Sequence, residues 1–500
     1  MIAANRPTRA WPYNIILTAV HRSLTPFDAK LSLVPCLQRC TGRVARLLRM
    51  LTVTASCLLA GTSVQAAEDV VNGAEGPGLP EITNPQSIRL PADLSQVDFY
   101  LVTVDVGNNI WDNFGHTALR VVDRSSNSDL VFNWGLFDAS VGNVTFASNF
   151  FQGILNYQLG VSPPAWEFGR YEREQRSVWQ DHLNLTTAQK ATLYRRLAWN
   201  LREENIVYSY QYFFDNCTTR VRDYLDEALG GRLAEQSRAQ VPRTFRDEVL
   251  SHYATVPTIA VSLDILMNER IDRRMTRWES MFLPATLRTE LLAFSSDVMS
   301  GVQRQPLLDE PQVVMEFTPP AAGPNAYHVL GAALAGAVLF LFLTLKRIPI
   351  SSFSSRSGFT LRLPALSYRV MGIMALLLCL VGGCYGLIMA AAWRESEHLD
   401  LHNNLNLLLF WPTDIVGLLF SLRWLISGRV CQLGKTTVTL IKLYLLLHLF
   451  AAIGYVFVAL AGIASQDVVS LLIFVVPALM GFAVLVWNAG FSAIRRISFS

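Results

Sequence analysis

Asp215-Asn216-Cys217-Thr218-Thr219-Arg220-Val221-Arg222-Asp223-Tyr224-Leu225 opens on residues that cap helices. Val221, Tyr224, Leu225, Ala228 and Leu229 then recur on one helical face, and Gly230-Gly231 ends the run. Cys217 therefore falls in the first turn, where unpaired backbone N–H groups and the helix dipole favour a thiolate. Arg220 and Arg222 either reinforce that field, meet a phosphate, or lie on a solvated face.

The cysteines around it make Cys217 informative. The chain has 7 cysteines, but between Ala67 and Thr344 only Cys217 occurs. Arg43, Arg46 and Arg49 precede the apolar run Leu51 to Gly61, and Val64-Gln65-Ala66 suits signal peptidase, so export with cleavage after Ala66 is expected. An exported domain with a single thiol has no disulfide partner of its own, and the thiol is either a buried passenger or a reactive group. A reactive thiol needs a base, and the same region offers His116, His182 and His252. His182 and His252 suit surface positions. His116 follows Gly115 and opens a strand, and the small glycine leaves room beside the imidazole. Spacing alone does not join His116 to Cys217.

Outward from this pair the chain divides into residues 1–66 as leader and signal peptide, 67–94 as flexible connector, 95–300 as exported domain, 301–325 as Pro-rich connector and 326–500 as membrane domain. Phe99 to Val104 reads as a strand, His116–Val122 with Leu130–Trp134 as a hairpin, and Thr186 as the N-cap of a helix running to Asn200. Ile206 to Phe214 is strand-like, and Leu263 to Ser300 looks largely helical. This is an α+β order of elements. Hydrophobic residues make up 51% of the chain and charged ones only 16%, and the apolar excess lies beyond Val329. Runs near 329–345, 370–393, 405–425, 439–464 and 468–487 each approach the roughly 20 residues of a bilayer-spanning helix. Basic residues follow the first and third runs and end the chain, while Glu395, Glu397 and Asp400 follow the second. The positive-inside rule then puts the soluble domain outside and the C-terminus in the cytoplasm of a bacterial inner-membrane protein.

The motifs Phe114-Gly115-His116-Thr117-Ala118-Leu119-Arg120-Val121, Asn133-Trp134-Gly135-Leu136-Phe137-Asp138, Phe151-Gln152-Gly153, Arg176-Ser177-Val178, Asn184-Leu185-Thr186 and Phe214-Asp215-Asn216-Cys217-Thr218-Thr219-Arg220 resemble the exported domain of the Lnb family. The similarity continues through Trp278 to Pro284 and into Asn404-Leu405-Asn406-Leu407-Leu408, covering roughly Val97 to the C-terminus. Lnb proteins are membrane proteins associated with N-acylation of bacterial lipoproteins. The resemblance implies a permuted papain-like domain, similar to NlpC and lecithin:retinol acyltransferase folds, with Cys217 attacking an acyl ester and His116 moving the proton. It leaves the orienting residue open between Asn133 and Asp138, either of which can accept the second imidazole N–H.

Three functions follow as expectations. The first is an acyltransferase that takes a fatty acyl chain from a membrane phospholipid and gives it to the N-terminal amine of a lipoprotein. The second keeps the chemistry but ends on water or a cell-wall amide, as a lipase, thioesterase, peptidase or amidase. The third is a non-catalytic membrane scaffold. Asn216 and Arg220 beside the thiol, with Asn404 and Asn406 at the external membrane surface, are the expected substrate contacts, since amides there are costly unless they face protein, water or a headgroup. His398 and His402 stand at i, i+4 without a metalloprotease motif, no phosphate loop follows a strand, and no metal or cofactor is expected. A net charge of +3 gives no reason to expect nucleic acid.

Overall fold

The computed structural model describes residues 91, 93–137, 148–149, 151–153, 156–300, 303–309, 311–350 and 358–494. The leader, the cleavage position after Ala66 and Asp138 lie outside them.

A seven-stranded antiparallel sheet organises the N-terminal part. Its strands are β1 (Val97–Val104), β2 (His116–Asp123), β3 (Ser128–Phe137), β4 (Asn156–Ser162), β5 (Val178–His182), β6 (Val207–Ser209) and β7 (Gln312–Met315), in the spatial order β7-β5-β1-β2-β3-β4-β6. The expected hairpin is β2–β3, paired from Ala118↔Asn133 to Asp123↔Ser128. Alternation along the strands divides the sheet into two faces. Phe99, Leu101, Leu119, Val121, Phe132 and Trp134 pack against α2 (Thr187–Asn200) and α3 (Cys217–Ala228). Val102, Val104, Ala118 and Val131 cover Tyr171 of α1 (Pro164–Arg173) on the other side. Each fully buried Phe or Leu in these layers contributes about 1.5–3 kcal/mol.

The helices start where their side chains dictate. Thr186 accepts from the Gln189 backbone while the Gln189 side chain accepts from Thr186, a reciprocal capping box that begins α2 as expected. Asn216 caps α3 in the same way, accepting from the Thr218 and Thr219 amides. Trp134 is fully buried and donates its indole N–H to Asn200 at 2.8 Å, which ties β3 to the end of α2.

Several stretches differ from expectation, among them Leu263 to Ser300, where the helical reading is interrupted by strands at Arg274–Thr276 and Ser295–Ser300. Within the Pro-rich connector, Gln303–Pro306 pairs with Ser295–Ser300, and β7 completes the main sheet beside β5, because Val313 and Val314 supply β-branched residues between turns. The strand expected over Ile206 to Phe214 stops at Ser209, since Gln211 and Asp215 close a turn that delivers the chain to the α3 cap.

The C-terminal part is helical. Among the described residues, four helices are long and apolar enough to cross a membrane: α5 (Ala326–Leu343), α6 (Ala365–Glu395), α8 (Lys435–Leu460) and α9 (Val469–Gly490). The third expected span is broken: Leu399–Leu408 and Pro412–Ser427 meet at a 55° bend, the geometry of a broken span or a re-entrant loop. The last turns of that segment form α7 (Leu418–Ser427). Pro412 removes a backbone donor at the break. Gly383 and Gly386 of α6 admit the broken backbone closely, as a Cβ at Gly386 would come within 2.6 Å of the Phe410 carbonyl oxygen.

The two parts are joined by more than a connector. Helix α4 (Pro257–Leu266) lies within the exported domain in sequence and packs among α5 and α6. Ser262 shares a 2.8 Å hydrogen bond with Tyr385, and Tyr327 donates to Asp264. Ser465 and Asp467, between α8 and α9, reach Glu269 and Asp272 of the same domain.

Candidate active site

The β2–β3 pairing begins only at Ala118, so the first residues of β2 have no ladder partner on that side. His116 and Thr117 occupy this gap, and strand alternation sends their side chains to opposite faces. Thr117 turns towards α3, its hydroxyl 3.1 Å from that of Thr218. Its backbone N–H donates to the Cys217 sulfur. The thiol also contacts the Thr218 hydroxyl at 3.7 Å.

His116 turns towards α1. Its Nε2 lies 2.7 Å from Asn133 Oδ1. The Asn133 Nδ2 donates in turn to the buried Glu167 carboxylate, at 3.2 Å to each oxygen, and Ser162 donates to the same carboxylate. With its amide so oriented, Asn133 presents an acceptor, and His116 carries its proton on Nε2 while Nδ1 is free to act as a base. Gly135 makes the room for the ring: a Cβ there would meet His116 Cε1 at 2.8 Å. Gly115, read from the sequence as the small neighbour, instead holds a left-handed turn at φ 76° against the Val104 carbonyl.

The structure thus joins His116 to Asn133 directly and brings Cys217 to the residue next to His116. It shows no hydrogen bond between His116 and Cys217. Burial, followed by the charges of Arg170 and Arg176, pushes the imidazole down to about 3. Burial also pushes the Cys217 thiol up, against the Thr117 and Thr218 hydrogen bonds that favour the thiolate. Both shifts favour a neutral thiol beside a neutral imidazole, where the helix position alone had suggested a thiolate.

Tyrosines complete the surroundings. Tyr157 and Tyr210 stack with centroids 4.4 Å apart and pack against the core beside Cys217. Burial and the neighbouring sulfur hold the Tyr157 hydroxyl at about 12. Tyr208 donates to the Trp134 carbonyl at 2.6 Å.

The other expected site residues have protein partners. Asn216 is nearly buried, caps α3 with its oxygen, and donates to the Tyr212 and Phe282 carbonyls. Arg220 makes a bidentate pair with Asp215 at 2.6 and 2.7 Å and lies over the Tyr208 ring. With Trp199, Phe214 and Tyr224 it lines a cavity of 460 Å³. Asn404 donates to the Ile265 and Leu266 carbonyls, and Asn406 donates to Ile265 and accepts from Tyr455. These two amides clamp the C-terminal end of α4. Glu167, Gly135 and Thr117 were not singled out by sequence reasoning. A signal for Gly135 existed in Asn133-Trp134-Gly135, a glycine inside a strand.

An antiparallel sheet domain bearing a capped cysteine helix, fixed to membrane-capable helices, is the class of protein that these features define. Residues 86–251 match the family described as the Lnb N-terminal periplasmic domain, which supports an Lnb-like, inner-membrane assignment with this domain in the periplasm. No curated protein and no solved structure matches the chain.

Proposed function

We propose that this chain is a thiol acyltransferase of the inner membrane, working through an acyl-enzyme on Cys217 within a permuted papain-like domain. The observation that carries the reading is the His116–Asn133 hydrogen bond one residue from the Thr117 amide that faces the thiol. His116 Nδ1 takes the thiol proton as sulfur attacks the ester carbonyl carbon of a phospholipid. The tetrahedral oxyanion is stabilised by the Thr117 N–H. Collapse breaks the ester C–O bond, and the proton on His116 passes to the departing lysophospholipid alkoxide. An acceptor amine, that of a lipoprotein N-terminus, then attacks the thioester; its proton passes through His116 to the leaving thiolate. The remaining gap between Nδ1 and sulfur closes when substrate seats, as catalytic hydrogen bonds commonly tighten in the complex.

The membrane arrangement supports this reading. Glu397 and the 465–467 turn contact the exported domain. The hairpin Lys346–Ile350/Gly358–Arg362 and the pairing of 431–433 with 491–493 sit at the other ends of the helices. Five crossings with a cytoplasmic C-terminus satisfy these contacts and the basic residues of that hairpin.

The test is mass spectrometry of the purified full-length protein after incubation with phospholipid vesicles. An acyl thioester on Cys217, absent from Cys217→Ser, is expected; an unmodified Cys217 peptide under conditions of turnover overturns the mechanism.

A further inference from the structure

The sheet face that carries the thiol has a cavity beside it. Cys217 Sγ lies 3.7 Å from the Thr218 hydroxyl, which lies 3.1 Å from the Thr117 hydroxyl. Thr117 pairs directly with Thr103 of β1, and cross-strand partners share a face. Thr103 therefore stands one strand spacing, about 4.8 Å, beyond Thr117 on the thiol side of the sheet. It is 2% exposed, and its Oγ1 is buried without a hydrogen-bond partner. A buried hydroxyl left unbonded is costly, and valine would fill the same space without that cost.

This hydroxyl lines a cavity of 180 Å³. Another part of the wall is the start of the helix Pro284–Leu292, which packs on the same face through Leu287 and Leu291. No side chain caps that helix, and the Leu287 N–H donates to the Leu283 carbonyl as its first turn closes. Ala285 and Thr286, whose N–H groups a helix leaves unbonded, line the cavity together with Thr103. Two amides at the positive end of a helix and one hydroxyl suit an oxygen acceptor. Asp105 and Glu248 line the same cavity. Arg243 pairs with Glu248 at 2.6 Å, and the Asp105 carboxylate makes the space unfavourable to a phosphate. An uncharged carbonyl oxygen fits both the donors and the carboxylate.

Resting on the acyl-enzyme reading of Cys217, we propose that this cavity is the acceptor subsite, taking a backbone carbonyl of a peptide whose free N-terminal amine attacks the thioester. One residue of extended chain spans at most about 3.3–3.6 Å, so an amine at the sulfur puts its first or second carbonyl beside Thr103. Asp105 attracts the ammonium as it arrives. In the transfer the new C–N bond forms as the C–S bond breaks, and the amine proton passes through His116 to sulfur.

The experiment uses the full-length protein acylated on Cys217 by phosphatidylethanolamine vesicles, with the thioester followed by mass spectrometry. Its decay is timed with a short synthetic peptide bearing a free N-terminal amine, and separately with propylamine, which has no carbonyl. Thr103→Val should slow decay with the peptide about tenfold, the loss of one hydrogen bond, and leave thioester formation and decay with propylamine unchanged. Thr103→Ser should restore the peptide rate. The melting temperature of Thr103→Val should equal or exceed that of the wild type, since the hydroxyl has no partner within the protein. Equal slowing with both amines, an unchanged peptide rate, or suppression of the peptide reaction by inorganic phosphate overturns the proposal. No thioester on the wild type would overturn the acyltransferase reading and this assignment with it, whereas normal thioester formation confines any failure to the subsite.

Discussion

Asn133 stands between His116 and Glu167, accepting from the imidazole with its oxygen and donating to the carboxylate with its nitrogen. The amide cannot be reversed without facing Nε2–H with its own N–H, so Glu167 fixes the tautomer of His116 through an uncharged intermediary. Asn133→Ala should lower the rate of acyl-thioester formation by about 10²–10⁴ while leaving the α3 helix in place. Glu167→Gln, which lets the amide turn over, should cost less. A full wild-type rate in Asn133→Ala would remove Asn133 from the machinery.

The depressed imidazole carries a stability signature. His116 titrates at about 3 in the folded protein against an ordinary value near 6.5, so between those values the unfolded chain binds the extra proton. Stability from this group is complete above 6.5 and falls as pH drops towards 3, by about 1.4 kcal/mol for each unit. The melting temperature of His116→Asn should fall less steeply with acid than that of the wild type across this window. Parallel curves would refute the buried neutral state.

Two glycines should fail differently. Gly115→Ala puts a side chain at φ 76° and 2.5 Å from the Val104 carbonyl, and it should destabilise the domain by about 1–3 kcal/mol. Gly135→Ala presses on the His116 ring at 2.8 Å and should reduce acylation with a smaller change in melting temperature. The paired measurement of melting and acylation separates them, and the reverse pattern would contradict the assigned contacts.

Asn404→Ala with Asn406→Ala should loosen the clamp on α4, since the Ile265 and Leu266 carbonyls lose buried donors, at about 1–3 kcal/mol for each group left unsatisfied. Hydrogen exchange over 257–266 should rise, and turnover on membrane-embedded substrate should fall. Unchanged exchange there would show that the amides are not what holds the helix.

Local chemistry made much of this fold legible. The Thr186 and Asn216 caps, the Gly230-Gly231 stop and the β2–β3 hairpin are written in short-range signals, and all lie where the residues indicate. Asn133 as a partner of His116 came from its place on the strand paired with β2, and the structure shows the contact. What escaped depends on partners remote in sequence. Apolar content marks Leu405–Leu425 as a span but carries no sign of the bend, which needs the α6 glycines opposite it. Asn404 and Asn406 are polar residues near a surface until α4 is seen to lie on them.

The docking of α4 has a geometric consequence for the proposed enzyme. A domain hung from a flexible tether samples a range of heights, whereas this one is fastened to the apolar helices through Ser262, Asp264, Ile265 and Leu266. If the proposed reaction holds, the thiol would then act as a ruler, sorting substrates by the length of stalk between their anchoring chains and the reacting group.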